Sequence, residues 1–313
     1  MTNEFPKISA GQLFCALILS RTAIEIISQN SSSAPKEAIL AIIITELIRF
    51  LLALPLIIFS FKHDNFHRHL YNKNKLIGWA SAAFGALLLI GAAVKTLLHT
   101  ISFAEKNLLI GTSSWLIFAI AAIFALYAAF SGIEAAARAG AIFLTAAGIV
   151  TAIVFLADIP YFTASEIWDV SDNRTLLSDV IYRFSNGGEY LLFAAFLPYI
   201  NKKRTDSSGK AAMYFMLFSI IIPIVLCVLN FLVLREFYGL TEYPSAASAS
   251  LSDIAMFKRL DGFFSAMWAL CSALRCGLFL LAAVLVFAAV KRVSAQEQQG
   301  SNEDTDKARL KGE

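Results

Sequence analysis

Charged side chains are scarce in this sequence: Asp, Glu, Lys and Arg make up 16% of the 313 residues, whereas hydrophobic residues make up 58%. The mean hydropathy is +0.67, which is typical of an integral membrane protein rather than of a water-soluble domain. The formal net charge is only +3, too small to indicate a nucleic acid partner. The lipid bilayer is therefore the first predicted partner.

Residues that carry metal or catalytic chemistry are also few. Of the four cysteines, Cys271 and Cys276 are the nearest in sequence, but five positions on one predicted helix point them in different directions. His63, His67 and His69 lie among basic residues of a connection, which favours a solvated loop over a metal site. The chain has no phosphate-binding P-loop, no GxGxxG and no GxSxG. We predict no metal, no cofactor and no enzymatic activity.

Long apolar runs dominate the chain instead. About 20 apolar residues are needed to cross a hydrocarbon core of roughly 30 Å as a helix. Eight segments satisfy this length, at residues 8–28, 37–61, 76–103, 110–130, 133–157, 176–200, 211–234 and 259–292. The sequence therefore predicts an all-α, multi-pass membrane protein with about eight transmembrane helices.

The connections between the spans predict the orientation. The second connection is basic and contains Lys62, Arg68, Lys73 and Lys75. The sixth connection is also basic and contains Lys202, Lys203, Arg204 and Lys210. The fifth connection is acidic and contains Asp158, Glu166, Asp169, Asp172 and Asp179. By the positive-inside rule both termini are cytoplasmic. Residues 1–293 form one membrane domain, and the polar segment 294–313 is predicted to be a disordered cytoplasmic tail. The outer connections 158–175 and 236–258 are either plain linkers or short surface helices over a cavity.

The sixth span contains a polar interruption. Residues 176–199 are apolar enough to cross a bilayer, yet Gly187, Gly188 and Glu189 lie in the middle. Two adjacent glycines each cost a helix about 1 kcal/mol relative to Ala. Broken helices at membrane depth are tolerated where the freed N–H and C=O groups face protein, ligand or water, as in many transporter sites. We predict a discontinuous sixth helix; the alternative is that the glycines only permit close packing.

Several spans carry ionisable residues, which are costly in lipid and need a partner or a role. Two oppositely charged pairs lie within one helical turn, Arg21 with Glu25 and Glu46 with Arg49. For both pairs the alternatives are mutual neutralisation against a neighbouring helix and a functional role. Lys95 and His99 share one helix face and require a carboxylate or a wet cavity. Arg275 has no partner in its own span.

Four stretches, taken in this order, carry a resemblance to a known family. They are ISAGQLFCALILSR at 8–21, SGIEAAARAGAIF at 131–143, GGEYLLFAAFLPY at 187–199 and FKRLDGFFSAMWALCSALRCGLFLLA at 257–282. Together they resemble the GerAB-type spore germination permeases of the amino acid–polyamine–organocation transporter superfamily. The resemblance covers roughly residues 8–292.

The resemblance implies a fold of inverted repeats in which spans one and six are discontinuous and bind a nutrient amino acid between them. Members of this family are the B subunits of germinant receptors in the inner spore membrane, and they act with an A subunit and a lipoprotein C subunit. This chain departs from the family in two respects. It has eight predicted spans rather than ten, which predicts a truncated fold, and its first span has no glycine at the expected break.

An amino acid ligand makes specific demands on the broken span. The N–H groups after Gly188 suit its carboxylate, and the carbonyls of Ser185, Asn186 and Gly187 suit its ammonium. We predict the opposite wall from residues of the first and eighth spans: Ser20, Thr22, Trp268, Ser272 and Arg275. Glu189 either neutralises Arg275 or Lys95 or caps the broken backbone.

The remaining predictions concern coupling. Ionisable groups predicted for coupling or proton relay are Glu25, Glu46, Lys95, His99, Glu134 and Arg138. Glu134 and Arg138 either latch the cytoplasmic end of the fifth span or form a local helix pair. Three functions remain open: a nutrient sensor that signals to partner subunits, a proton-coupled amino acid permease that uses Glu189 or Glu25, and an assembly subunit that binds no ligand.

Overall fold

The computed structural model of the chain describes residues 8–29, 35–62, 66–162, 176–200, 205–252 and 260–310. Within these ranges the backbone is helical, and its one β-bridge joins Ile8 to Ile200. The helices are α1 Ala10–Ile27, α2 Pro35–Lys62, α3 Phe66–Lys73, α4 Lys75–Asn107, α5 Ser114–Phe130, α6 Ile133–Asp158, α7 Leu176–Asn186, α8 Glu189–Phe196, α9 Thr205–Leu234, α10 Pro244–Leu251 and α11 Leu260–Leu310.

These helices confirm the prediction of an all-α membrane protein. Six of them are long and apolar enough to cross a bilayer, namely α1, α2, α4, α6, α9 and α11. The shorter apolar α5 has 17 residues, and α7 with α8 accounts for the remaining predicted span. Each of the eight apolar segments thus coincides with a helix or with the broken pair.

The first and last spans lie at the centre of the bundle. In both α1 and α11, 67% of the apolar window is buried, against 28% in α4 and in α6. The helix α11 packs along α4 and α5, and α1 packs against α6, α9 and α11. Residues of α1 that face these neighbours, such as Leu19, Ala23 and Ile27, are fully buried.

The first span is unbroken, so the discontinuity that the family resemblance implied there is wrong for this chain. Helix α1 is continuous from Ala10 to Ile27 and includes Ser20 and Thr22. The physical reason is its composition: after Gly11 it contains no glycine or proline that would interrupt the hydrogen-bonding pattern. Ser9 and Gln12 form a capping box that fixes where the helix begins.

Small residues allow two close helix contacts around this centre. A Cβ atom on Gly140 of α6 would lie 3.1 Å from the Cα and Cβ of Ala16 on α1. A Cβ atom on Gly277 of α11 would lie 2.7 Å from the carbonyl oxygen of Ala125 on α5. Both contacts bring backbones together in the way that small residues permit in membrane helices.

One of the two connections that were predicted to lie outside folds into short helices. After α9 the chain forms a 3-10 helix at Arg235–Leu240 and then the short helix α10, which decides between the alternatives for residues 236–252. In the other connection, residues 163–175 lie outside the described part of the chain. The helix α11 continues beyond residue 293 to Leu310, and the division into a membrane domain and a tail stays a prediction.

Cysteine labelling checks the predicted orientation. In a variant without the four native cysteines, single cysteines are placed at Asn74 and Ser207 in the basic connections and at Ser171, which lies outside the described residues. We expect a membrane-impermeant thiol reagent to label position 171 in intact cells, and positions 74 and 207 only after permeabilisation. The cysteine-free parent is the control. Labelling of position 171 only after permeabilisation would contradict cytoplasmic termini.

Candidate functional site

The sixth span is interrupted where its sequence predicts. Helix α7 ends at Asn186, the backbone at Gly187 and Gly188 is not helical, and α8 begins at Glu189. The interruption frees the last carbonyls of α7 and the first N–H groups of α8, which need hydrogen-bond partners. Asn186 and Glu189 on its two sides are buried, and Gly187 and Gly188 between them are half-buried. We call this region the helix break.

A carboxylate serves the N-terminal end of α8. The backbone N–H of Gly188 donates to Oε2 of Glu189 at 3.0 Å, and the hydroxyl of Ser20 on α1 donates to Oε1 at 3.3 Å. Glu189 is 1% exposed. A negative charge at a helix N-terminus is favourable because the helix dipole is positive there.

Two guanidinium groups serve the C-terminal end of α7. Nη2 of Arg275 on α11 donates to the carbonyl of Asn186 at 2.9 Å. Nη2 of Arg49 on α2 donates to the carbonyls of Arg183 and Phe184. Cations at a helix C-terminus complement the negative end of the dipole, so each end of the broken helix carries the charge that suits it.

Arg275 and Glu189 also form a buried ion pair across the helix break. Nη2 of Arg275 lies 2.8 Å from Oε1 of Glu189, and Nε lies 3.1 Å from the same oxygen. Further donors from Arg275 reach the hydroxyls of Ser20 and Thr96, and its guanidinium lies 4.8 Å from the ring centre of Phe279. Glu189 therefore fills two of its predicted roles at once: it neutralises Arg275 and caps the backbone.

A second set of charges continues from the helix break along α1, α2 and α7. Arg21 contacts Glu25 at 3.0 Å and Glu46 at 3.1 Å, and Glu46 also pairs with Arg49. Arg183 of α7 pairs with Glu25. The two local pairs predicted from the sequence therefore belong to a network that crosses three helices, and Arg183 is its unpredicted member.

Lys95 and His99 of α4 face the helix break. Of the two predicted surroundings, a carboxylate or a wet cavity, the carboxylate is not what they contact. Lys95 donates to the hydroxyl of Ser185 and lies 5.8 Å from the ring centre of Tyr182. Nε2 of His99 lies 3.1 Å from Oδ1 of Asn186. In the described part of the chain both side chains thus bind neutral polar groups, which leaves Glu189 to Arg275 and Glu25 to Arg21 and Arg183.

The five predicted wall residues do not form one wall: Thr22 is buried on α1, and the other four lie in three places. Ser20 and Arg275 meet at the helix break. Ser272 is one turn away and shares a 2.8 Å hydrogen bond with Thr100 of α4. Trp268 points away from the helix break, and its indole N–H donates to Thr151 of α6 at 3.1 Å.

Some residues near the helix break were not identified from the sequence. Thr96 accepts from Arg275, the hydroxyl of Tyr190 donates to Oε2 of Glu46 at 3.5 Å, and Phe279 lies beside the guanidinium of Arg275. A threonine, tyrosine or phenylalanine in an apolar span does not by itself indicate a functional site. Thr96 lies three residues before His99 and so borders the same helix face, which was the available clue.

The predicted latch residues lie apart from this region. Glu134 and Arg138 pair with each other near the start of α6, with side chains 44% and 64% exposed. This is the local i,i+4 pair of the alternative interpretation, which contributes a few tenths of a kcal/mol at such exposure. A latching role stays a prediction.

Comparison with known protein families agrees with the architecture. A family model described as spore germination protein matches residues 7–298, which include the helix break and every residue of the charge network around it. No curated protein matches the chain.

Proposed function

The chain belongs to the spore permease family of spore germination proteins, and from this premise we propose that it is the nutrient-sensing membrane subunit of a germinant receptor. In this proposal a small amino acid binds at the helix break, and its binding is passed to the A and C subunits of the receptor in the inner spore membrane. The multi-pass helical fold supports a role inside a bilayer.

One observation carries the proposal: the freed backbone groups of the helix break already bind the two kinds of charge that an amino acid carries. A carboxylate accepts from the N–H of Gly188, and a cation donates to the carbonyl of Asn186. A free amino acid brings a carboxylate and an ammonium. Its binding is therefore an exchange, in which the ligand replaces contacts that Glu189 and Arg275 make with the backbone.

Such an exchange makes the contacts of the ligand-bound state different from those of the ligand-free state, which signalling requires. A ligand shifts a conformational equilibrium only if it binds one state better than the other. Displacing Arg275 removes its bonds to Ser20 on α1 and Thr96 on α4, so the ligand alters contacts among four helices. The state that exposes the helix break to ligand is then the state that the partner subunits detect.

Binding of amino acids to the purified full-length protein tests the proposal. We expect at least one of the twenty amino acids to bind, and Ser20→Ala to change its dissociation constant by about tenfold, because the variant removes a hydroxyl shared by Glu189 and Arg275. The matched control is Ser131→Ala, whose hydroxyl donates to Ala128 of its own helix. Equal affinity in wild type and Ser20→Ala would contradict the assignment of the site.

Uptake into liposomes separates the three possible functions. Amino acid binding without uptake supports a sensor. Uptake driven by an imposed pH gradient would instead indicate a proton-coupled permease, with Glu189 or Glu25 as the titrating carboxyl. If neither binding nor uptake is observed, the remaining function is that of an assembly subunit.

A further inference from the structure

An apolar cavity of about 270 Å³ lies between α2, α3, α4, α8 and α11. We call it the α4–α8 cavity. Among the described residues its lining has one polar side chain, Ser81, and that hydroxyl donates to the carbonyl of Gly78 in its own helix at 2.9 Å. The other lining residues are apolar, for example Leu56, Phe66 and Leu191. The lining therefore asks for a hydrocarbon occupant and not for a polar one.

The cavity opens on the lipid-facing side of α4. Phe84 and Leu88 at its rim are 65% and 43% exposed, whereas Leu89 and Val286 at its floor are buried. One water molecule takes up roughly 30 Å³ of liquid, and a methylene group is of similar size, so the cavity has room for roughly nine methylene groups. A helix with its side chains is about 10–12 Å across and is too wide to enter. A stretch of one acyl chain fits.

The register between α4 and α11 shows which end of the bundle the cavity occupies. Ser272 of α11 shares a hydrogen bond with Thr100 of α4, and Arg275, one turn later in α11, donates to Thr96, one turn earlier in α4. The two helices are therefore antiparallel. Continued along α11, this register sets Val286 level with the part of α4 that lines the cavity. The cavity thus lies toward the start of α4 and the end of the apolar part of α11.

Positive charges cluster at this same end of the bundle. Lys73 closes α3 and Lys75 opens α4, while Lys291 and Arg292 lie near the end of the apolar part of α11. All four residues are exposed. Helix α3 packs against both α4 and α11, which brings the three helix ends together. Lys291 follows Val286 by five residues, which is about 8 Å along the helix axis. One lipid molecule can therefore reach the cations and the cavity at once.

From these observations we propose that the α4–α8 cavity binds one acyl chain of an anionic phospholipid, whose phosphate lies among Lys73, Lys75 and Lys291. Clustered Lys and Arg side chains at a membrane surface attract anionic headgroups, and a zwitterionic phospholipid carries no net charge for them to attract. The site is a defined one, beyond the general contact that every transmembrane helix makes with the bilayer. The proposal is independent of amino acid binding at the helix break.

The bound chain supports the second half of the broken span. Leu191, Ala194 and Ala195 of α8 line the cavity, and α8 begins at Glu189, directly after the helix break. A side chain that borders an empty space lacks packing contacts on that side. An acyl chain in the cavity supplies those contacts and thereby stabilises the position of α8.

Native mass spectrometry of the purified full-length protein tests the site, with dioleoylphosphatidylglycerol as the anionic lipid and dioleoylphosphatidylcholine as the zwitterionic one. We expect Gly85→Leu, which adds a side chain at the cavity lining, to weaken binding of the first phosphatidylglycerol molecule at least about tenfold, because it displaces methylene groups of the acyl chain. The matched control is Gly91→Leu on the same helix. A Cβ atom there meets nothing within 4 Å among the described residues, and Gly91 does not line the cavity.

A variant at the surface tests the charges without altering the cavity. We expect the wild type to bind phosphatidylglycerol at least about tenfold more tightly than phosphatidylcholine, and the double variant Lys73→Gln with Lys291→Gln to reduce this preference to about twofold. The matched control, Lys106→Gln with Arg138→Gln, removes two exposed cations elsewhere on the protein and is expected to keep the preference. This arm does not depend on the folding of a variant at the cavity.

Competition separates the acyl chain from the headgroup. Glycerol 1-phosphate carries the phosphate without acyl chains, and we expect it not to displace phosphatidylglycerol at equal concentration. Equal affinity of the wild type for the two phospholipids would indicate ordinary bilayer contact only and would overturn the proposal. Unchanged binding in Gly85→Leu, or an equal loss in Gly91→Leu, would also overturn it and would leave the cavity as space for a side chain of a partner protein.

Discussion

Replacement of Arg275 by Leu is expected to destabilise the folded protein by about 3–5 kcal/mol, because it leaves the carboxylate of Glu189 buried without its ion-pair partner. Both residues are 1% exposed, so water cannot take over the lost contact. The variant also removes the donor to the carbonyl of Asn186. Unfolding of the purified protein in an SDS titration, followed by tryptophan fluorescence, measures the change.

Two further variants identify the cause of this loss. Combining Arg275→Leu with Glu189→Gln removes the stranded charge yet keeps an acceptor for the N–H of Gly188, so the double variant is expected to be more stable than Arg275→Leu alone. The control is Lys106→Leu, which breaks the exposed pair with Glu242 (47% and 54% exposed) and is expected to cost less than about 1 kcal/mol. Destabilisations that simply add in the double variant would contradict a direct ion pair.

Replacement of Gly187 by Leu is the second variant with a large expected effect. A Cβ atom at this position would lie 2.3 Å from Nε and Cζ of Arg49, so the guanidinium must move. Its movement gives up the bonds to Glu46 and to the carbonyls at the end of α7. We expect a loss of at least about 3 kcal/mol in the same SDS titration, and weaker amino acid binding at the helix break.

Gly148 supplies the matched comparison. It lies in α6, and a Cβ atom there would meet nothing within 4 Å among the described residues. Gly148→Leu is therefore expected to leave both stability and binding near the wild-type values. Equal stability of Gly187→Leu and Gly148→Leu would show that Arg49 is not held at the helix break. Undiminished amino acid affinity in Gly187→Leu would exclude the helix break as the ligand site.

The sequence was sufficient for the helical architecture and for the position of the break. An apolar run of spanning length is visible within one segment of the sequence, and so is the low helix propensity of Gly187 and Gly188. Neither depends on contacts with other helices. The same local reasoning paired Arg21 with Glu25 correctly. The broken first span was implied by the family resemblance and not by the residues, and the absence of a glycine around Ser20 agrees with the unbroken helix.

Contacts between helices were beyond the sequence, because they depend on how each helix is rotated about its axis. Arg275 and Glu189 are 86 positions apart, and nothing local indicates that they meet. Lys95 was expected to contact a carboxylate or a wet cavity, but packing directs it to Ser185. Arginines from four other helices pair with the carboxylates. Arg183 was overlooked because only the glycines of its span were considered. A lone arginine four residues before the break was nevertheless a signal for a buried ion pair.

The β-bridge between Ile8 and Ile200 determines which half of the sixth span is anchored. The N–H of Ile8 donates to the carbonyl of Tyr199 at 3.0 Å, so the chain just after α8 is fastened to the start of the central helix α1. Most of α8 is buried, whereas α7 buries only Asp179, Val180 and Asn186. A conformational change at the glycines is therefore expected to displace α7 relative to α8, because α8 is the half that is more deeply buried and anchored to α1.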